Sequence, residues 1–212
     1  MGDEGDARQT QGPFRPIVAF DFDGTLTKSD SFVAFLRWRA GVGRFAASLV
    51  GLSPSMIAYA VHHDRGRLKA RFARAYLRGL SQDEIAALAR RFAETHARKL
   101  LRPDAVRSWK RWQAEGARMV IVTASPDILV APFARGLGSD TLLGTRLAFD
   151  ANGRFTGRLD GANCRGAEKV RRLREVFGDD VRLEAAYGDT GGDHAMLALA
   201  EEQGMRVFKG TA

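Results

Sequence analysis

The sequence predicts an α/β protein: a mostly parallel sheet flanked by helices, with a small all-helical unit inserted after the first strand. Three observations carry this reading. A short apolar run, Ile17-Val18-Ala19-Phe20, stops at Asp21-Phe22-Asp23-Gly24; too short for a helix of its own, it reads as a buried strand. Comparable runs recur at residues 118–123 and 183–187, separated by helical stretches, as βαβ units require. Between the first and second runs, residues 30–101 carry helix signals alone.

The elements follow in order. Residues 1–14 are polar, contain Gly2, Gly5 and Gly12, and end near Pro13, which predicts a disordered tail. This tail has no basic and apolar regions of a secretion signal, so a cytoplasmic protein is expected. Ser29 or Asp30 is placed to cap a helix carrying Phe32, Phe35, Leu36 and Trp38. Apolar stretches follow at 45–52 and 56–61, broken by Gly51 and Pro54 and too short to span a membrane. Residues 65–78 are basic and amphipathic, Ser81 and Glu84 form a capping-box pattern, and a further helix starts after Pro103. After the strand at 118–123, Ser125 is expected as an N-cap and Pro126 in the first helical turn. Strands at 142–150 and 154–160 flank an Asn152-Gly153 turn, which predicts a hairpin. A helix with Val170, Leu173, Val176 and Phe177 on one face follows, then the strand at 183–187, a helix from His194 and a short strand at 205–208.

Composition sets the outer bounds. At 212 residues, 45% hydrophobic and 27% charged, the chain can bury one good core plus a small accessory unit. Cys164 is the single cysteine, which excludes an internal disulfide and a cysteine-rich zinc site. The net charge of +8 suits phosphorylated ligands, an anionic membrane surface or nucleic acid. No nucleic-acid module or aromatic-interleaved basic stripe is present, so nucleic acid is not the expected partner.

The chemistry sits at the strand ends, where open α/β sheets bind their ligands. Asp21 and Asp23 are spaced so that one carboxylate can attack phosphorus while the other moves a proton, provided a divalent cation screens their repulsion. A calcium loop counted from Asp21 fails, because its sixth position is Leu26 and its twelfth Phe32. A second acidic loop, Gly188-Asp189-Thr190-Gly191-Gly192-Asp193, follows the strand at 183–187. Thr123 ends its strand ahead of a helix start, a place suited to an anion. Lys169 near the start of its helix is unfavourable there unless an anion compensates it.

Asp21-Phe22-Asp23-Gly24-Thr25, Thr123, Lys169 and Gly188-Asp189 with Asp193 resemble, in order, the four motifs of the haloacid dehalogenase (HAD) superfamily of phosphohydrolases. The stretches Thr123-Ala124-Ser125-Pro126 and Asn163-Cys164-Arg165-Gly166 are similar to the phosphoserine-phosphatase-like branch with a helical cap. The resemblance implies a HAD-like Rossmannoid core over residues 15–29 and 102–212 and a cap over 30–101. It implies a Mg²⁺-dependent phosphomonoester hydrolase working through an aspartyl-phosphate. Asp21 would be the nucleophile and Asp23 the acid/base. Gly24, Thr123, Ala124 and Lys169 would bind phosphate, and Asp21, Asp23 (through its carbonyl) and Asp189 would hold the metal, with Asp193 in support.

The substrate expectation rests on the cap. The sequence has Gly24 where a phosphoserine phosphatase is expected to have serine, and no glutamate between Thr25 and Glu84 to recognise an amino group. The apolar stretches and the basic residues of 65–78 resemble a phosphatidylglycerophosphatase of the C type, which implies a lipid phosphate and peripheral contact with the inner face of an anionic membrane. Phosphoserine or another small metabolite is the alternative substrate. A non-catalytic basic module for a phosphorylated or nucleic-acid ligand is the alternative of another class.

Overall fold

The computed structural model describes residues 15–41, 43–45 and 65–210, with side chains from residue 70 onward in the last segment. The expected tail at 1–14 and most of the apolar stretches at 45–61 lie outside the described residues.

The six-stranded sheet has the order β4-β3-β2-β1-β5-β6. Its strands are β1 (Ile17–Phe20), β2 (Arg118–Pro126), β3 (Thr141–Phe149), β4 (Phe155–Asp160), β5 (Leu183–Gly188) and β6 (Ala200–Met205). β1 is central and parallel to both neighbours, with Ala19 opposite Val120 of β2 and Ala186 of β5. The β3–β4 pair is antiparallel, and Gly153 N donates to Asp150 O in its turn, as Asn152-Gly153 predicts. The chain leaves β1 towards β2 on one side and reaches β5 on the other, so the strand order reverses at β1 and opens a crevice beyond the strand ends.

Seven described helices accompany the sheet: α1 (Ser31–Ala40), α2 (Arg65–Leu77), α3 (Gln82–Leu100), α4 (Pro103–Ala114), α5 (Asp127–Leu137), α6 (Ala167–Phe177) and α7 (His194–Leu197). Asp30 Oδ1 accepts from Val33 N at 2.9 Å, and Ser81 and Glu84 exchange both bonds of the capping box. Side chains alternate across the strands. Val18, Phe20, Met119 and Ile121 enter one core cluster, whereas Ala19, Val120 and Val122 enter another. The first cluster continues into Phe35 of α1, Ile85 and Phe92 of α3, and Phe133 of α5. The helices that follow β1 therefore share one apolar interior with the sheet. Phe92 is the junction, its ring centroid 5.5 Å from Phe35 and 6.1 Å from Phe133.

Three local expectations are corrected. β2 runs on to Pro126 and α5 starts at Asp127, so Ser125 is a strand residue rather than an N-cap. On α6 the buried side chains are Lys169, Arg172 and Leu173, while Val176 is 48% exposed. Polar partners override hydropathy here: Arg172 donates to Gly144 O, to Ala162 O at 2.9 Å and to Glu168 Oε1 at 2.8 Å. The last strand is Ala200–Met205 instead of 205–208. It lies at the sheet edge, where Glu201, Glu202 and Gln203 face solvent and leave no apolar run to read.

Truncating the junction of the shared core tests its continuity. Phe92→Ala is expected to lose about 3–5 kcal/mol of unfolding free energy. Urea denaturation followed by circular dichroism and by tryptophan fluorescence should give coincident transitions, since α3 and the sheet lose the same core.

Candidate active site

The site forms where β1, β2 and β5 end. Asp21 follows β1 directly, and its backbone N donates to Tyr187 O at 2.8 Å, so β5 fixes its height. The chain then turns tightly through Phe22–Leu26. Gly24 is required there twice over. Its φ of +82° is one that L side chains rarely adopt, and a Cβ would lie 2.1 Å from Asp189 Oδ2. The loops after β1 and β5 thus approach within backbone distance of a carboxylate.

Lys169 binds the parts together. It is 1% exposed, and Nζ donates to Asp21 Oδ1 at 2.6 Å, Val122 O at 2.6 Å and Asp193 Oδ1 at 2.7 Å. Its three N–H groups are therefore all taken. Burial works to lower its pKa, but Asp21 and Asp193 outweigh it and hold the ammonium above its ordinary value. Asp193 is pushed up by burial, yet Lys169 and the N–H groups of Thr190 and Asp189 bring it below the usual carboxylate range. Its Oδ2 accepts from Thr190 N at 2.9 Å and Asp189 N at 3.2 Å, which shapes the loop after β5.

Asp21 is different. Burial raises its carboxyl to about 7 against the pull of Lys169, with repulsion from Asp193 and Asp23 adding to the rise. Asp189 is likewise raised, by burial and then by Asp193. Asp189 Oδ1 is buried without a hydrogen-bond partner. Oxygens of Asp21, Asp189 and Asp193 lie within 4.8 Å of one another. An unpartnered buried carboxylate oxygen beside two more oxygen donors is what a hard divalent cation requires. The residues present fit Mg²⁺.

Asp23 is held from two sides. Oδ1 accepts from Ser31 N, the first residue of α1, at 2.7 Å, and Oδ2 accepts from Ser125 Oγ in a short bond. Asp21, Asp23, Gly24, Ala124, Lys169, Asp189 and Asp193 line one cleft of about 360 Å³, with Lys28, Asp30, Arg102, Asn163 and Arg165 around them. The expected phosphate ligand Thr123 is fully buried, and its Oγ1 accepts from Ser125 N at 3.0 Å. Ser125, which donates to Asp23, is the residue that sequence reasoning assigned elsewhere: a buried hydroxyl has no hydropathy signal, and its neighbour Pro126 suggested a helix start. Arg165, whose Nη1 donates to Thr190 Oγ1 at 3.2 Å, was legible only as part of a motif.

Residues 18–198 match the family model for haloacid dehalogenase-like hydrolases, and the chain belongs to that family. Among individual proteins, it is 60% identical over 194 residues to Protein CicA of Caulobacter vibrioides, covering 92% of this chain and 87% of that one. It is 30% identical over 208 residues to phosphoserine phosphatase SerB1 of Mycobacterium tuberculosis, covering 92% of this chain and 66% of that one. A crystal structure of a protein of unknown function from Bordetella pertussis Tohama I superposes with a TM-score of 0.75 at 26% identity, covering 89% and 88% of the two chains.

Two outcomes follow from this geometry. A cation must displace the protons held on the raised carboxyls, so affinity is present above the raised pKa and is lost as pH falls through it. With Asp21 near 7, apparent Mg²⁺ affinity is expected to weaken about tenfold between pH ~8 and ~6. Calorimetric titration at both pH values, in the absence of substrate, checks this. Ser125→Ala removes the hydrogen bond that Ser125 Oγ gives Asp23, worth about 1 kcal/mol, and should lower kcat by roughly fivefold. If Asp23 is the general acid, the loss should be larger for alkyl than for nitrophenyl phosphates, because only a poor leaving group needs a proton; steady-state kinetics on both classes reads it.

Proposed function

We propose that this HAD-family phosphatase hydrolyses the phosphomonoester of a small metabolite through an aspartyl-phosphate on Asp21. The observation that carries the reading is the asymmetric environment of that carboxylate. Oδ1 is held by Lys169, whereas the nearest hydrogen-bond partner of Oδ2 among the described residues is the Thr25 hydroxyl, at 3.5 Å. One oxygen is anchored and the other is left for chemistry.

In the first step Asp21 Oδ2 bonds to phosphorus as the bond to the ester oxygen breaks, and Asp23 gives that oxygen a proton. In the second, water attacks phosphorus and yields a proton to Asp23, and the Asp21–phosphorus bond opens to release inorganic phosphate. Ser31 N and Ser125 Oγ keep Asp23 aimed through both steps. Gly24 and Ala124 border the cleft and are read as backbone donors to the phosphoryl oxygens. Lys169, with its N–H groups taken, acts by balancing charge, and Thr123 by holding the end of β2. Mg²⁺, held by Asp21, Asp189 and the Asp23 carbonyl, would supply the positive charge that lets a phosphate approach the carboxylates. Residues 30–101 are read as the cap; its first residue, Asp30, lines the cleft together with Lys28 and Ser29.

The name of the Mycobacterium relative supports a small metabolite ahead of a lipid phosphate. The membrane reading rested on the basic residues of 65–78 together with apolar stretches that lie largely outside the described residues. Two aspartates with separate hydrogen-bonding environments favour turnover over simple binding of a phosphorylated ligand.

Turnover of an aryl phosphate should cease in excess chelator and return with Mg²⁺. Asp21→Asn should abolish it, and Asp23→Asn should lower it by about 10²–10⁴-fold. Measuring phosphoserine, other small phosphomonoesters and phosphatidylglycerophosphate in anionic vesicles side by side decides the class. Preference for the vesicle substrate would overturn the small-metabolite reading.

A further inference from the structure

Beside the catalytic cleft lies a second cavity of about 280 Å³, lined by Gly24, Arg102, Asp189, Arg206, Phe208 and Lys209. It shares Gly24, Arg102 and Asp189 with the cleft, so the two are neighbouring compartments of one opening. Three of its lining side chains are cations, against the single carboxylate of Asp189. The reaction proposed above uses none of the three.

Their convergence is built. Arg206, with φ of 54°, is the one non-glycine residue in the left-handed region among the described residues. Its N donates to Gly188 O at 2.8 Å and its Nε to Asp189 O at 2.6 Å, which ties the guanidinium to the loop carrying the candidate metal ligand. The next turn of chain is pinned at both ends. The Phe208 ring packs 5.2 Å from Tyr187 and 6.1 Å from Phe20, and Asp104 Oδ2 accepts from Lys209 N at 2.7 Å and Gly210 N at 2.9 Å. Arg102 joins them from the start of α4: its Nε donates to Thr27 O at 3.0 Å, and its Nη1 would lie 3.3 Å from a Cβ placed on Gly210. Residues far apart in sequence thus bring positive charge to one side of the phosphate site.

We propose that this annex binds a second anionic group of the substrate, a carboxylate or a further phosphate, and so selects phosphomonoesters whose alcohol is itself charged. The inference rests on the phosphatase reading and refines it. Cations near a developing site pair with an anion and leave neutral leaving groups without benefit, so discrimination is expected between substrates that differ by one charge.

A matched pair tests it: phenyl phosphate and 4-carboxyphenyl phosphate, with the Mg²⁺-loaded protein. Wild type should favour the carboxylated ester, mainly through KM, by roughly 1.4- to 5-fold for each exposed charge pair formed. Lys209→Gln and Lys209→Glu should erode that preference in increasing measure while phenyl phosphate turnover stays within about twofold. Lys209 is exposed, so both variants should fold normally, and added salt should shrink the wild-type preference. No preference in wild type, or one that survives both substitutions, overturns the proposal. So does a result in which the variants change only inhibition by inorganic phosphate, which would assign the annex to free phosphate. Phenyl phosphate turnover by wild type reports the phosphatase reading separately.

Discussion

A buried ammonium is the interaction on which this site depends. Lys169 joins the first residue after β1, a carbonyl of β2 and the loop after β5, while its own backbone belongs to α6. Two carboxylates brought this close inside a protein would repel strongly and gain little from solvent. The lysine makes the arrangement affordable, and removing it would leave uncompensated buried charge, a strongly destabilising outcome. The elements that line the cleft are thus held together through a single nitrogen.

The lysine nevertheless leaves the balance incomplete. Asp193 is fully served, by Lys169 on one oxygen and loop N–H groups on the other. Asp21 receives help on one oxygen only, and Asp189 Oδ1 receives none. Local inconsistency of this kind, in an otherwise satisfied interior, is where function is expected. The deficit is oriented: both underserved carboxylates border the cleft, so the charge that completes them has to come from there.

Much of this was legible in the sequence because strand ends announce themselves. An apolar run that stops at a carboxylate and a glycine, as at Phe20-Asp21 and Tyr187-Gly188-Asp189, states both the strand and the direction of its mouth. The hairpin at Asn152-Gly153 and the capping box at Ser81 were visible for the same reason, since each depends on local chemistry. What stayed hidden depends on distant partners. Ser125 looked like a cap because nothing nearby shows that Asp23 waits for its hydroxyl. Nothing local marks Arg172 as buried, because the carbonyls that receive it come from residues 144 and 162. β6 pairs through backbone at an edge, so its acidic side chains gave no sign of a strand.

The continuity of the apolar interior has a bearing on how such a protein could diversify. Phe35 of α1 packs on Phe92 of α3, Phe92 meets Phe133 of α5, and Phe133 packs in turn on Phe22 beside Asp21. A segment joined to its host by aromatic packing is not a cassette. Transplanting it from a relative would carry across half of an interlocking surface and leave the other half unmatched. New specificities in this lineage are therefore more readily reached by replacing individual residues around the rim than by exchanging the segment whole.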